Sequence, residues 1–385
     1  ATKDLEALPT DHLVEDIELL RHVGVDAARM NVITPLLANA YASIFRSQLG
    51  VHGIDGSEVA VGVDDGAALD PNPYLDELGS SLAAADGTIG GNGEVRYGDL
   101  NPAQRDEVDR FLARFGHFSD SGNDFSVPTW RDSPDTVVRM ALRRDGQTTR
   151  ADRLTLNDVE SQIPKWKRPL VHQLGRSAAA FGERRDAVSS TYTFGYGLFR
   201  GYFLELGKRL TEAGVFRDAD DIMYLAIDEV YAALDDGHDR SDMVQNRRSE
   251  MEDAADYDVP DLIYGDDFVP SRSVTSDRGV WTGTPTARGH HRGVARIVRG
   301  IEDLDKVSPG DVLVIPFSDV GWTPLFARAG AVVAESGGML SHSSIIAREY
   351  GLPCVVSVEG ALGIPDGGTI AVDGYRGTII LEEQE

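Results

Sequence analysis

The chain has 385 residues, with 63 acidic against 37 basic side chains, a formal charge of −26 and 41% hydrophobic residues. That apolar content excludes wholesale disorder, and the length suits two or three domains. The single cysteine, Cys354, excludes an intrachain disulfide and a thiolate-built metal site, no apolar run is long enough to span a membrane, and the charge makes nucleic acid a poor partner.

Helices open the chain. Leu13, Val14, Ile17 and Leu20 recur at helical spacing over Asp11–Leu20, and a second apolar stretch runs from Val32 to Leu49. From Gly50 to Leu100 the sequence is rich in Gly, Asp and Ser, lacks sustained periodicity and is expected to contain a long loop. Asn101-Pro102 supplies a cap and a first-turn proline for a helix whose face carries Val108, Phe111, Leu112 and Phe115. Ser133-Pro134 repeats the device before Val137–Leu142. Two long helices are expected over Leu156–Phe181 and Arg185–Ala213, the second closed by Gly214, then another over Asp218–Leu234 and a short one over Met243–Ala255. Pro260 and Pro270 break regularity, so a linker is assigned to residues 266–274.

Beyond it the texture turns to short β-rich runs: Gly293–Val298, Asp311–Ile315, Ala331–Ala334, Cys354–Val358, Thr369–Val372 and Thr378–Leu381. Apolar helical segments at Trp322–Ala329 and Ser343–Tyr350 lie between them. The expected fold is multidomain α plus α/β: a helical domain over 1–265 and an α/β domain over 275–385.

The chemistry concentrates in Glu335–Pro353. A strand runs into Gly337-Gly338, Ser341 is placed to cap a helix, and Gly351 and Pro353 end it. His342 therefore falls at a helix N-terminus, where free N–H groups and the dipole disfavour imidazolium and stabilise an attached anion. Gly337 and Gly338 let backbone approach a phosphate, Ser341 and Ser343 offer hydroxyls, and Arg348 offers a fixed charge or a structural ion pair. The bland reading of a lone histidine is a satisfied polar group in a capped helix. His290-His291 alternate across a strand, which argues against one shared metal site, and no metal is expected.

The pattern Gly-Gly-x-x-Ser-His-x-x-Ile-x-Ala-Arg-Glu-x-Gly-x-Pro resembles the swivelling phosphohistidine domain of the phosphoenolpyruvate-utilising enzymes, such as phosphoenolpyruvate synthase, pyruvate phosphate dikinase and rifampin phosphotransferase. Gly283-Thr284-Pro285, Gly293–Arg296, Gly310–Val314, Asp319–Leu325 and Val372-Asp373-Gly374 extend the likeness. The resemblance implies a β/β/α swivelling domain in which His342 takes a phosphoryl group and passes it on.

A second segment, Phe115–Asp120 followed by Asp124–Pro134, with Leu206–Leu210 and Asp220–Leu225 further on, resembles the central helical domain of rifampin phosphotransferase and its relatives. The acceptor-site candidates are His117, Asp124, Arg184 and Arg209. For each, bonding to loop backbone or to neighbouring carboxylates is an equally open reading, and Trp130 is a packing anchor. Nothing reads as a phosphate-binding Gly-x-x-x-x-Gly-Lys-Ser/Thr loop. The resemblance thus implies a phosphotransferase component that binds no cofactor alone, with ATP and Mg²⁺ supplied through an ATP-grasp partner subunit or domain, and a small-molecule acceptor. The alternatives are a subunit of a pyruvate, water dikinase system and a non-catalytic phosphate-responsive module. Five lysines against thirty-two arginines, with scattered acidic runs, read as adaptation to high salt, and the first thirty residues lack a leader, as in a cytoplasmic protein.

Overall fold

The computed structural model describes residues 4–54, 59, 70–84, 95–122, 124–143, 154–254 and 279–382. A helical N-terminal region is followed by a C-terminal mixed sheet. The helices are α1 (Thr10–Gly50), α2 (Asn72–Ala84), α3 (Pro102–Phe115), α4 (Pro134–Leu142), α5 (Leu156–Ser161), α6 (Arg168–Glu212), α7 (Ile227–Asp236) and α8 (Ser241–Ala254). Eight strands follow: β1 (Val280–Thr282), β2 (Thr284–Ala287), β3 (His290–Ile297), β4 (Val312–Ile315), β5 (Ala331–Ala334), β6 (Cys354–Val356), β7 (Thr369–Asp373) and β8 (Thr378–Leu381). Between them lie α9 (Thr323–Phe326) and α10 (His342–Tyr350).

Helices α1 and α6 pack antiparallel. The start of α1, through Leu13 and Ile17, shares a core with Tyr202, Phe203, Leu206 and Leu210 near the end of α6, while Phe45 and Leu49 meet Val171 and Ala178 near its beginning. Both are single helices where the sequence suggested pairs. Continuity through the polar middle of α1 is explained by its neighbour: only a narrow seam, Thr34 and Ala38, is buried there, leaving Val23, Val32 and Leu36 exposed and the apolar period blurred. In α6, glycine serves close packing. A Cβ on Gly175 would lie 2.7 Å from Leu156 Cδ1 and 3.1 Å from Phe45 Cε2.

Three further differences stand out. The stretch expected to contain a long loop holds α2, and Asp218–Leu234 divides into a 3₁₀ turn (Ala219–Tyr224) and α7. Strands β1 and β2 are too short to show a period. The linker assigned to 266–274 lies outside the described residues.

The sheet runs β1-β8-β7-β3-β4-β5-β6-β2, with β3 to β6 parallel and the outer pairs antiparallel. Strands β4, β5 and β6 are buried along their whole length, as befits strands covered on both faces. One face packs on Trp281, Ile364, Ile370 and Ile379. The other carries α9 and α10, and its core continues without a break into Leu75, Leu78, Phe111, Phe115, Trp130, Val137 and Met140 of the α2–α4 unit. Backbone meets backbone at this junction: a Cβ on Gly321 would lie 2.1 Å from the Ser119 carbonyl oxygen. Among the described residues no helix is long and apolar enough to cross a membrane.

Candidate functional site

Strand β5 delivers the chain into the loop 335–341, which α10 follows. Gly337 has φ 130°, a conformation that side-chain-bearing residues avoid. The loop is fastened from several sides: Ser341 N–H and Oγ both donate to Gly338 O, at 3.0 and 2.8 Å, and Ser357 Oγ donates to Gly337 O at 2.6 Å. Arg348 turns back along α10, giving Nε to Ser344 O at 2.8 Å and Nη2 to Met339 O at 2.7 Å. Burial pushes its pKa down to about 10, and the nearby Arg46 and Arg185 add to that.

Ser341 holds the N-cap position with extended backbone, but its hydroxyl accepts no backbone N–H of α10 and is turned instead toward the Gly338 carbonyl, to which it donates. Ser343 is buried, with Oγ 3.3 Å from Ser341 Oγ. Gly337, Gly338, Ser341, Ser343 and Arg348 are thus gathered around the start of α10, and the Arg348 contacts above are to protein carbonyls.

His342 is the first residue of α10 and half-buried. Its Nε2 lies 3.3 Å from Thr323 Oγ1, which gives its own proton to Val320 O at 2.7 Å. Phe326 stands edge-on to the ring, 6.4 Å between centroids. Burial lowers the imidazole pKa to about 4. Arg185 pushes the same way, while the carboxylates of Asp319 and Asp70 oppose it. The ring is neutral at pH 7 and keeps a nucleophilic lone pair. Asp319 is itself fixed, accepting Val320 N–H at 2.7 Å and Gly122 N–H, from the helical region, at 2.9 Å.

His117 follows α3 and is 8% exposed. Among the described residues neither ring nitrogen has a hydrogen-bond partner, and Phe118 and Phe194 stand edge-on at 4.7 and 5.3 Å. Burial, helped by Arg131, lowers its pKa to about 4. It shares a cavity of ≈ 10 Å³, room for one water, with Ser119, Asp124, Thr193 and Tyr196. Asp124 Oδ1 accepts Ser126 N–H at 2.9 Å and Ser126 Oγ–H at 2.6 Å, closing a turn.

The remaining candidates are dispersed. Arg184 is exposed, over the Phe181 ring at 5.2 Å. Arg209 ties the N-terminal segment to the far end of α6, bonding Glu205 at 2.8 Å, Thr10 at 3.0 Å and Leu5 O at 3.1 Å. Its neighbour in type, Arg185, pairs with Asp186 at 2.7 Å within electrostatic reach of His342.

Residue-by-residue reasoning missed Thr323 and Asp319, noted only within a longer motif, and Arg200, which is 6% exposed. Its guanidinium holds the His117–Asp132 loop on α6, reaching Asp132 Oδ2 at 2.9 Å, Ser126 O at 2.7 Å and Phe125 O at 3.2 Å. His291 Nε2 contacts Gly310 O at 2.7 Å, while His290 faces Asp373 at 3.6 Å, in a groove of ≈ 480 Å³ on β3, β7 and β8 that holds none of the site candidates. Among the described residues no group of three or more His, Cys, Asp or Glu could hold a metal ion.

Residues 307–377 match the family described as PEP-utilising enzyme, mobile domain. The chain is 33% identical over 282 residues to an uncharacterised protein of Mycobacterium tuberculosis, covering 71% of this chain and 31% of that one. It is 29% identical over 307 residues to rifampicin phosphotransferase of Bacillus subtilis (74% and 35% covered) and 27% identical over 295 residues to a prodigiosin-synthesising transferase of Serratia marcescens (71% and 33%). The chain spans about a third of the length of these relatives.

Proposed function

We propose, from the premise that residues 307–377 belong to the mobile-domain family of the phosphoenolpyruvate-utilising enzymes, that this chain is the carrier and acceptor portion of a phosphotransferase. The observation that carries the reading is the placement of His342: a neutral, half-buried imidazole on the first turn of α10, beside a loop that turns at Gly337.

In the first step an imidazole nitrogen attacks the phosphorus of a nucleotide donor, forming a P–N bond as the bridging P–O bond breaks. The leaving nucleotide takes the electron pair. In the second step an acceptor oxygen attacks, the P–N bond breaks, and the acceptor hydroxyl loses its proton to a base. The free N–H groups at the start of α10 stabilise the added charge.

For Nε2 to react, its contact with Thr323 must first open. ATP and Mg²⁺ come with a separate ATP-grasp domain or subunit, and the sheet domain swivels between that donor and the helical region. In the docked position His342 faces Arg185 and Asp319, where the acceptor is presented. His117, neutral and bonded to none of the described residues, is the candidate base, taking the proton through the single-water cavity it shares with Asp124.

The test is phosphoryl transfer to a panel of hydroxyl-bearing small molecules by the reconstituted pair, wild type against His342→Ala. Loss of transfer with the fold intact is expected. Transfer near the wild-type rate would assign the group to another residue.

A further inference from the structure

Helix α10 is gripped by buried polar groups that phosphoryl transfer does not call for. Asn72, the wholly buried first residue of α2, donates its side-chain amide to Thr323 O at 3.2 Å and to Tyr350 Oη at 2.7 Å. Tyr350 Oη donates to Asp70 Oδ2 at 2.9 Å, and Asp70 Oδ1 accepts the Asn72 backbone N–H at 2.9 Å. Tyr350 closes the helix that His342 opens, and Thr323 is the residue at His342 Nε2. One amide therefore reaches both the far end of α10 and the contact at its reactive end.

We propose that Asp70, Asn72 and Tyr350 form a latch that holds α10 docked on the helical region and, by fixing Thr323, keeps His342 Nε2 engaged until the latch opens. The proposal builds on the carrier reading of His342, although its geometry and its test do not. The bonds from Asn72 to Thr323 and Tyr350 and from Tyr350 to Asp70 join distant parts of the chain, so they exist only while the two regions are together. Separated, every member is satisfied by water, and the closed latch adds specificity more than affinity. Half-open, it costs a buried amide or phenol one of its bonds, so it favours closing and opening as a unit. Its links to α10, amide to phenol and phenol to carboxylate, are both buried, so salt screens them far less than it screens an exposed ion pair.

Diethyl pyrocarbonate acylates neutral imidazole, and peptide mass spectrometry reads each histidine separately. In the full chain, Asn72→Ala and Tyr350→Phe, each of which removes two buried bonds of the latch, should each raise the rate at His342 by about fivefold or more. The double variant should add little to either, since both act on one network. Tyr350→Phe removes a single oxygen and keeps the ring, so it serves if Asn72→Ala does not fold. Amide exchange across 202–210 of α6, which packs in a different core from Tyr350, should stay unchanged.

A His342 rate within about twofold of wild type in Tyr350→Phe would overturn the latch. Acceleration matched by equally faster exchange across 202–210 would overturn it as well, because it would report general loosening. No phosphoryl donor takes part, so failure here is distinct from failure of the carrier reading, which labelled phosphate decides.

Discussion

Thr323 Oγ1 lies 3.3 Å from His342 Nε2 and spends its own proton on the Val320 carbonyl 2.7 Å away. It can therefore only accept from the ring, and the contact favours the imidazole tautomer with its proton on Nε2. Thr323→Val keeps the shape and removes the acceptor. With phosphoramidate, a small donor that needs no second protein, phosphorylation of His342 should become faster by about two- to tenfold, the worth of one neutral hydrogen bond. A slower reaction would mean that the hydroxyl assists attack.

The buried histidines make stability pH-dependent in a stated direction. His117 has its pKa lowered from 6.5 to about 4 by burial, so between those values the unfolded chain binds the proton and the folded chain does not. Its contribution is fully present above about pH 6.5 and is lost as pH falls through that window toward 4. At pH 5 the loss is roughly 2 kcal/mol relative to pH 7. Urea unfolding at the two pH values measures it, and His117→Leu should flatten the difference by about that amount; an unchanged difference would show that His117 does not contribute to the profile.

Arg200 bonds two carbonyls and a carboxylate from inside the fold. Arg200→Ala takes this donor from the Phe125 and Ser126 carbonyls and leaves Asp132 bonded only by Thr129, at a cost of about 2 kcal/mol. Arg200→Lys should recover little, because one ammonium cannot reproduce the planar fork. Denaturant midpoints of the three proteins decide this, and a Lys variant equal to wild type would contradict it.

Gly321 has the Ser119 carbonyl against its backbone, so Gly321→Ala must push the 320–322 turn and the 119 loop apart. The expected destabilisation is about 1–3 kcal/mol, as for other overpacked contacts, with faster amide exchange confined to the junction of α3 and α9. Exchange that rises evenly over the chain would argue that the junction is not a separable unit.

Much of this was legible in residue order. Ala331–Ala334 and Thr378–Leu381 are the strands their β-branched runs suggested, and His342 begins α10 because Ser341 in extended backbone and Gly351 in the left-handed region bound that helix. What the sequence concealed depends on partners far away in the chain. The middle of α1 is helical because α6 runs beside it, not because its own period demands it. Ser341 looked like a side-chain cap, and only the loop geometry shows its hydroxyl taken by Gly338. Asn72 sat in a stretch expected to contain a long loop, so its bonds to Thr323 and Tyr350 could not be anticipated.

The most direct measurement is the location and stability of transferred phosphate. The protein is incubated with an ATP-grasp partner, Mg²⁺ and ATP labelled at its β and γ phosphates, then digested and mapped. The account predicts an acid-labile, base-stable label on the peptide carrying His342, absent from a folded His342→Ala protein. No label on the wild type, or label that survives His342→Ala, would contradict it.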